Sequence, residues 1–121
     1  MSEGIFVRGS NRLLAHRVVW ARTPRRRMHG LLAMAPLEPQ EALIIERAKQ
    51  VHSFGMAYPI DVLFCDAEWK VRHKVSSMKP TRVTRFVWRA RYAVEMVAGA
   101  ADEVAVGDFL NVARFQASSD L

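Results

Sequence analysis

Two carboxylates stand at positions of the sequence that otherwise favour burial. Asp61 lies in the run Ile60–Cys65 and Glu95 in the run Ala90–Ala98, and both runs are mainly apolar. A carboxylate that loses its water needs an opposite charge or hydrogen-bond donors in exchange. Arg27 is a candidate partner, because a guanidinium binds a carboxylate through two parallel hydrogen bonds. We therefore predict that Asp61, Glu95 and Arg27 surround one site.

This predicted site has two interpretations. In the structural one, Arg27 forms a buried ion pair with Asp61 or Glu95 and ties a short helix to the sheet. In the functional one, the arginine holds an anionic group while a carboxylate or His52 moves a proton. His52 and Met56 belong to the candidate ligand-binding set, since both lie in the stretch that leads into the Asp61 strand.

No metal site or cofactor is predicted from the sequence. His52, Asp61 and Glu95 carry ligand atoms but lack the spacing of a metal-binding motif. A nucleophile elbow, a phosphate-binding loop and a dinucleotide fingerprint are all missing from the chain. Cys65 is the one cysteine, which excludes an internal disulfide and a cysteine-based zinc finger. Its apolar surroundings indicate an unreactive core thiol.

The stretch Val51–Asp66 must position these side chains. Gly55 suits an unusual backbone angle, and Pro59 holds the residue before it extended. The run Ile60–Cys65 then predicts a strand with apolar residues on both faces, as in the centre of a sheet. Asp61 is expected to be at least partly buried in that strand.

The rest of the chain predicts further strands separated by turns. These strands are expected at Ile5–Val7, Leu13–Ala21, Glu41–Glu46, Trp69–Val75, Ala90–Ala98 and Phe109–Phe115, and Phe86–Trp88 is expected to be a short strand or an extended segment. A short helix is expected over Pro24–Gly30, because Thr23 can cap it and proline suits the first helical position. A helical turn or loop is expected over Ala100–Ala105. The expected turn residues are Gly30, Gly55, Pro59, Asp66, Gly99, Gly107 and Asp108.

These elements predict an α+β fold that is predominantly β. We expect a compact antiparallel or mixed sheet, or a barrel-like domain, with one or two short helices. The 121 residues have the length of one ordinary domain, and the chain shows neither a repeat nor a linker. The sequence therefore predicts a single domain over residues 1–121, with a loose polar tail over residues 116–121.

The charge is positive and concentrated in two zones. The net charge is +6, with seven arginines against one glutamate in residues 1–30 and an acid-free stretch over Lys70–Arg91. Such zones attract anions, including nucleic acid. The run Arg82–Tyr92 also interleaves arginines with aromatic rings, as nucleic-acid-binding surfaces do. Simple solubility is the alternative explanation.

The N-terminal residues indicate a cytoplasmic protein. They lack the basic start, apolar core and small-residue cleavage site of an export signal. No apolar run approaches the ~20 residues of a membrane helix. We therefore expect no association with a membrane.

Four groups of residues resemble the motifs of a known family. They are Arg27, Gly30 and Leu31; Met56, Pro59, Ile60, Asp61, Phe64 and Asp66; Glu95, Ala98 and Gly99; and Gly107 and Asp108. In order and spacing the chain resembles the prokaryotic family called domain of unknown function 192, over about residues 18–112. The resemblance implies a β-rich domain with short helices and no established activity.

Three functions are compatible with these observations. The first is a ligand-binding or accessory domain with a pocket around Asp61, Glu95 and Arg27, for a small molecule or a protein partner. The second is a nucleic-acid or acidic-partner module that uses the basic zones. The third is a small enzyme, which requires a concave site with shifted acid pKa values.

Overall fold

Eight strands build the part of the chain that the computed structural model describes, which is residues 2–10, 12–23 and 37–115. The strands are β1 (Ser2–Val7), β2 (Arg12–Ala15), β3 (Arg17–Ala21), β4 (Glu41–Glu46), β5 (Ile60–Cys65), β6 (Val71–Met78), β7 (Tyr92–Val97) and β8 (Leu110–Phe115). They form a three-stranded sheet in the order β2-β1-β8 and a five-stranded sheet in the order β3-β4-β7-β5-β6. Neighbouring strands are antiparallel except β3 and β4, which are parallel.

Two apolar clusters cover the two faces of the five-stranded sheet. The inner cluster lies between the sheets and joins Ile5 and Leu14 of the small sheet to Ile44, Leu63 and Met96 of the large one. The outer cluster covers the opposite face, where connecting segments pack on the strands. Its members from connecting segments are Leu37, Ala48, Val51, Val87 and Ala90. The alternation of side chains along each strand therefore decides which cluster a residue enters.

The predominantly β prediction is confirmed, but the predicted helices are not. Among the described residues no helix occurs, and the two sheets form no closed barrel. The expected helix over Pro24–Gly30 lies outside the described residues. Residues 98–103 form turns between β7 and β8.

Two strand predictions were wrong in detail because of long-range pairing. The expected strand Leu13–Ala21 is interrupted at His16, whose backbone N–H bonds to the Gln40 carbonyl, so that β2 and β3 enter different sheets. In β6 a bulge lies opposite the Phe64–Cys65 step. It sends Val71 into the inner cluster and Val75 against the outer one, although regular alternation along a strand would place both on one face.

The segment Phe86–Trp88 is not a strand in the structure. Val87 is buried, while Phe86 is 52% exposed and Trp88 is 77% exposed. The backbone there is held by the Val87 N–H, which donates to the Lys49 carbonyl at 2.7 Å. Of the two expected alternatives, a short strand or an extended segment, the strand is therefore not formed, and two large aromatic rings stand in solvent.

Candidate functional site

Asp61 is completely buried and bonded to the backbone. Its Oδ1 accepts the N–H of Ser77 at 2.8 Å, and its Oδ2 accepts the N–H groups of Gly99 at 3.0 Å and Ala101 at 2.9 Å. Ser77 and Gly99 both have positive φ, 49° and 93°. The carboxylate therefore joins the end of β6 to the turn after β7, and three amide donors replace its lost water.

Glu95 is buried without such partners. It is 3% exposed on β7, the middle strand of the large sheet, and its neighbours across the strands are Leu43 and Val62. No residue in the described ranges donates a hydrogen bond to its carboxyl group or forms an ion pair with it. Burial raises the pKa of Glu95 from 4.5 to about 8. At pH 7 the group is therefore mainly the neutral acid, which can donate a hydrogen bond.

The two carboxylates do not share one pocket, which corrects the sequence prediction. Glu95 faces Val62, and Val62 belongs to the outer cluster. Asp61 is the neighbour of Val62 on β5, so its side chain points to the other side of the sheet, toward Ala101 of the inner cluster. The error arose because the relative faces depend on the register between β5 and β7, and a shift of one residue reverses them.

The other predicted ligand-binding residues fall in different places. Met56 is partly buried and packs against the outer cluster, on the face of Glu95. His52 is exposed, and its Nδ1 accepts the N–H of Phe54 at 3.3 Å while the two rings stack at 5.1 Å between centroids. Arg27 lies outside the described residues, as does Gly30.

Several predicted turn residues have evident backbone roles. Asp66 accepts the N–H groups of Glu68 and Lys70 at 2.9 and 3.0 Å and pairs with Arg72 Nε at 2.8 Å. Burial alone would raise the pKa of Asp66, but these bonds and the Arg72 charge outweigh it and lower the pKa below 3.8. Asp108 accepts the N–H of Ala105 at 2.9 Å. Both carboxylates thus shape turns rather than a ligand site.

Gly55 and Pro59 bracket the loop before β5. Gly55 has a φ of 82°, which an L side chain rarely adopts. Pro59 is exposed immediately before the strand. Gly99 and Gly107 also have positive φ, at 93° and 100°. Gly55 and Pro59 flank Met56 and Tyr58, which pack against the outer cluster.

Cys65 is buried in the inner cluster. Burial, with a smaller contribution from the Asp66 charge, raises the pKa of its thiol to about 12. The thiolate, which is the nucleophilic form, is therefore almost unpopulated at neutral pH. Within the described part of the chain, no group of histidine, cysteine, aspartate and glutamate side chains has the arrangement of a metal site.

Two paired segments of the chain carry exposed arginines and aromatic rings, a feature that was only partly visible in the sequence. Residues 79–91 pair with residues 49–54 through backbone bonds such as Thr84 N–H to the Val51 carbonyl at 2.9 Å and Ser53 N–H to the Arg82 carbonyl at 2.8 Å. We call these two segments the basic–aromatic ribbon. The sequence showed its interleaved arginines and rings, but it did not show that the rings stand in solvent.

Comparisons with known proteins agree on the fold. Residues 5–112 match the family DUF192, described as "Uncharacterized ACR". A protein of unknown function from Novosphingobium aromaticivorans DSM 12444 has a TM-score of 0.77 and 20% identity, covering 89% of this chain and 83% of that one. A proposed transcription regulator from Sinorhizobium meliloti 1021 has a TM-score of 0.75 and 21% identity, covering 92% of both chains. No curated protein matches the chain.

In the described residues, no helix is long and apolar enough to cross a membrane.

Proposed function

The chain belongs to the DUF192 family, and we propose that it is a ligand-binding domain whose site lies at Glu95, on the outer face of the large sheet. The observation that supports this proposal is the carboxyl group of Glu95, which is 3% exposed in the middle strand of the large sheet and has its pKa raised by burial to about 8. Burial disfavours the charged form, so the group is mainly the neutral acid at pH 7. A ligand that accepts a hydrogen bond would be recognised by this neutral acid.

A small anion is the ligand class that fits this group best. A neutral carboxylic acid donates its proton to a carboxylate or phosphate oxygen, whereas an ionised one repels it. The net charge of +6 favours the approach of anions. Arg27 is our candidate for the second contact, because its segment joins Ala21 to Leu37, and both are buried in the outer cluster that Glu95 faces. Met56 is the candidate apolar contact.

The proposal predicts binding that depends on pH in one direction. Glu95 must be protonated to bind the anion, so affinity should be constant below pH 8 and fall about tenfold per pH unit above it. The pKa of about 8 sets this limit. Glu95→Gln keeps a neutral donor and should bind at every pH, whereas Glu95→Leu should not bind.

Isothermal titration calorimetry with small carboxylates and phosphate monoesters tests this, with the corresponding amides and alcohols as neutral probes. Glu103→Gln is the matched control, since the side chain of Glu103 is 72% exposed. Arg27→Ala should weaken binding of the anions. It should not alter the difference in unfolding free energy between the protein with Glu95 and the Glu95→Gln variant. If no anion binds, or if Glu95→Leu binds as well as the unchanged protein, the proposal is wrong.

A further inference from the structure

The basic–aromatic ribbon presents large apolar side chains to solvent. Phe54 is 47% exposed, Val83 and Phe86 are 52% exposed, and Trp88 is 77% exposed. These side chains belong to neighbouring parts of the ribbon, since Val83 forms a β-bridge with His52, and the rings of Phe86 and Trp88 lie 6.0 Å apart. The opposite side of the ribbon packs on the outer cluster through Val51 and Val87. The exposed rings are therefore not part of the core.

The same surface carries positive charge that forms no ion pair with the acids of the described residues. Arg82, Arg85, Arg89 and Arg91 are exposed, and residues 79–91 contain no acid. Each described ion pair involves a different arginine, namely Arg12, Arg17, Arg22 or Arg72. Arg85 lies close enough to His73 of β6 to contribute to a lowered pKa of that imidazole, after the larger effect of burial. Within the described part of the chain, the ribbon thus combines exposed rings with guanidinium groups that form no ion pair.

We propose that this side of the ribbon binds single-stranded nucleic acid, with bases stacked on Trp88 and Phe86 and phosphates bound by Arg82, Arg85 and Arg89. Stacking requires an exposed ring face and tolerates any base, while arginine binds phosphate through its planar fork. Along a single strand of nucleic acid, bases alternate with phosphates. In the extended ribbon, arginines lie on either side of the rings, so rings can meet bases while arginines meet phosphates. A duplex hides its base faces, and the described residues offer no helix to enter a groove.

An anionic membrane surface fits the ribbon less well. Membrane-binding segments gather their apolar side chains on one continuous face and keep the charges apart. Here Phe86 and Trp88, the two most exposed large hydrophobic rings of the ribbon, each have an arginine as a direct neighbour in the chain, Arg85 and Arg89 respectively. If Phe86 and Trp88 entered the apolar interior of a membrane, the neighbouring arginine side chains would have to follow them into it.

Fluorescence anisotropy with labelled oligothymidylate and oligouridylate of 20 nucleotides, at about 50 mM salt, tests the proposal. Trp88→Ala should weaken binding by about 5- to 100-fold, while Trp88→Phe, which keeps a ring, should lose much less. The Lys49 ammonium binds the carbonyl oxygen of Trp88, so the backbone contact survives both changes. Arg85→Gln should lower the slope of log affinity against log salt by about 0.7, the value for one phosphate contact.

Arg114→Gln is the charge control, because Arg114 is an exposed arginine on β8 outside the ribbon. Intrinsic fluorescence gives a second readout. Trp20 and Trp69 contact each other edge to face, and Trp69 stacks on Tyr92 at 4.0 Å, so quenching by a bound base should come from Trp88 and disappear in Trp88→Phe.

Three results would overturn the proposal. They are no binding at about 50 mM salt, equal losses in Arg85→Gln and Arg114→Gln with none in Trp88→Ala, or Trp88-dependent binding to anionic phosphatidylserine vesicles without binding to either oligonucleotide. Glu95→Gln should leave oligonucleotide binding unchanged. The ribbon and the anion site can therefore fail independently.

Discussion

Glu95→Gln should stabilise the protein at neutral pH, and the gain should grow with pH. In the unfolded chain the carboxyl group ionises at its ordinary pKa of 4.5, whereas in the folded protein burial holds the pKa at about 8. Between these values the folded state binds the extra proton, so stability falls as pH rises. The slope is about 1.4 kcal/mol per pH unit, which gives a loss of about 3 kcal/mol by pH 7 and about 5 kcal/mol above pH 8.

Glutamine has nearly the shape of the protonated acid but does not ionise. The two proteins should therefore unfold at similar denaturant concentrations below pH 4.5 and diverge above it, with Glu95→Gln the more stable. Urea unfolding between pH 4 and pH 9 measures this difference, and unchanged m-values show that the extent of unfolding is the same. A difference of about 3 kcal/mol is large against the 5–15 kcal/mol that stabilise a typical domain.

Other titrating groups make this comparison of two proteins necessary. His73 has a lowered pKa, through burial and the charge of Arg85, so it contributes stability that is lost as pH falls below 6.5. Asp66 has a lowered pKa, and its contribution is lost as pH falls below 3.8. Both effects oppose that of Glu95, but they are common to the two proteins and cancel in the difference. If Glu95→Gln were less stable at pH 8, the carboxylate would have a bonded partner, and the assignment of an unpaired acid would be refuted.

Three further predictions concern the residues around Asp61 and Cys65. Asp61→Ala should cost about 3–5 kcal/mol in urea unfolding, because the N–H groups of Ser77, Gly99 and Ala101 lose their acceptor. Asp102→Ala on the exposed turn should stay within about 0.5 kcal/mol, and similar losses in both variants would contradict this role of Asp61. Gly99→Ala should cost about 1–2 kcal/mol, since φ is 93°, and an unchanged unfolding midpoint would argue against this turn. Cys65 should react with iodoacetamide only at the rate at which the protein opens, because the thiol is buried with a pKa of about 12; fast alkylation of the native protein would show an accessible thiolate.

The sequence predicted the interior strand and its buried charge but not what satisfies that charge. Ile60–Cys65 is a strand with every residue buried, as its apolar residues on both faces indicated. Asp61 was expected to pair with Arg27 or to sit near Glu95, yet its described partners are backbone N–H groups of Ser77, Gly99 and Ala101. Backbone donors exist at every residue except proline, so no pattern of side chains reveals which of them will meet a carboxylate.

The positions of the rings and the break at His16 depended on contacts that are remote in sequence. Phe86 and Trp88 flank Val87, and the alternation suited a strand. Their exposure follows from the pairing of that segment with Lys49 and Val51. Likewise His16 interrupts an apolar run only because Gln40 binds its backbone, and this lets β2 and β3 join different sheets.

Glu95 and Asp61 look alike in the sequence, but their places in the sheet give them different means of compensation. Asp61 stands near the end of β5, where a residue with positive φ in β6 and a turn after β7 leave N–H groups free to bind it. Glu95 stands within the middle strand, paired on one side with Leu43 and on the other with Val62, so the surrounding amides are already used by the sheet. Backbone groups therefore cannot stabilise its charge, and burial raises the pKa of the carboxyl group to about 8 instead. This difference is why we place the anion site at Glu95 and assign Asp61 to the architecture of the fold.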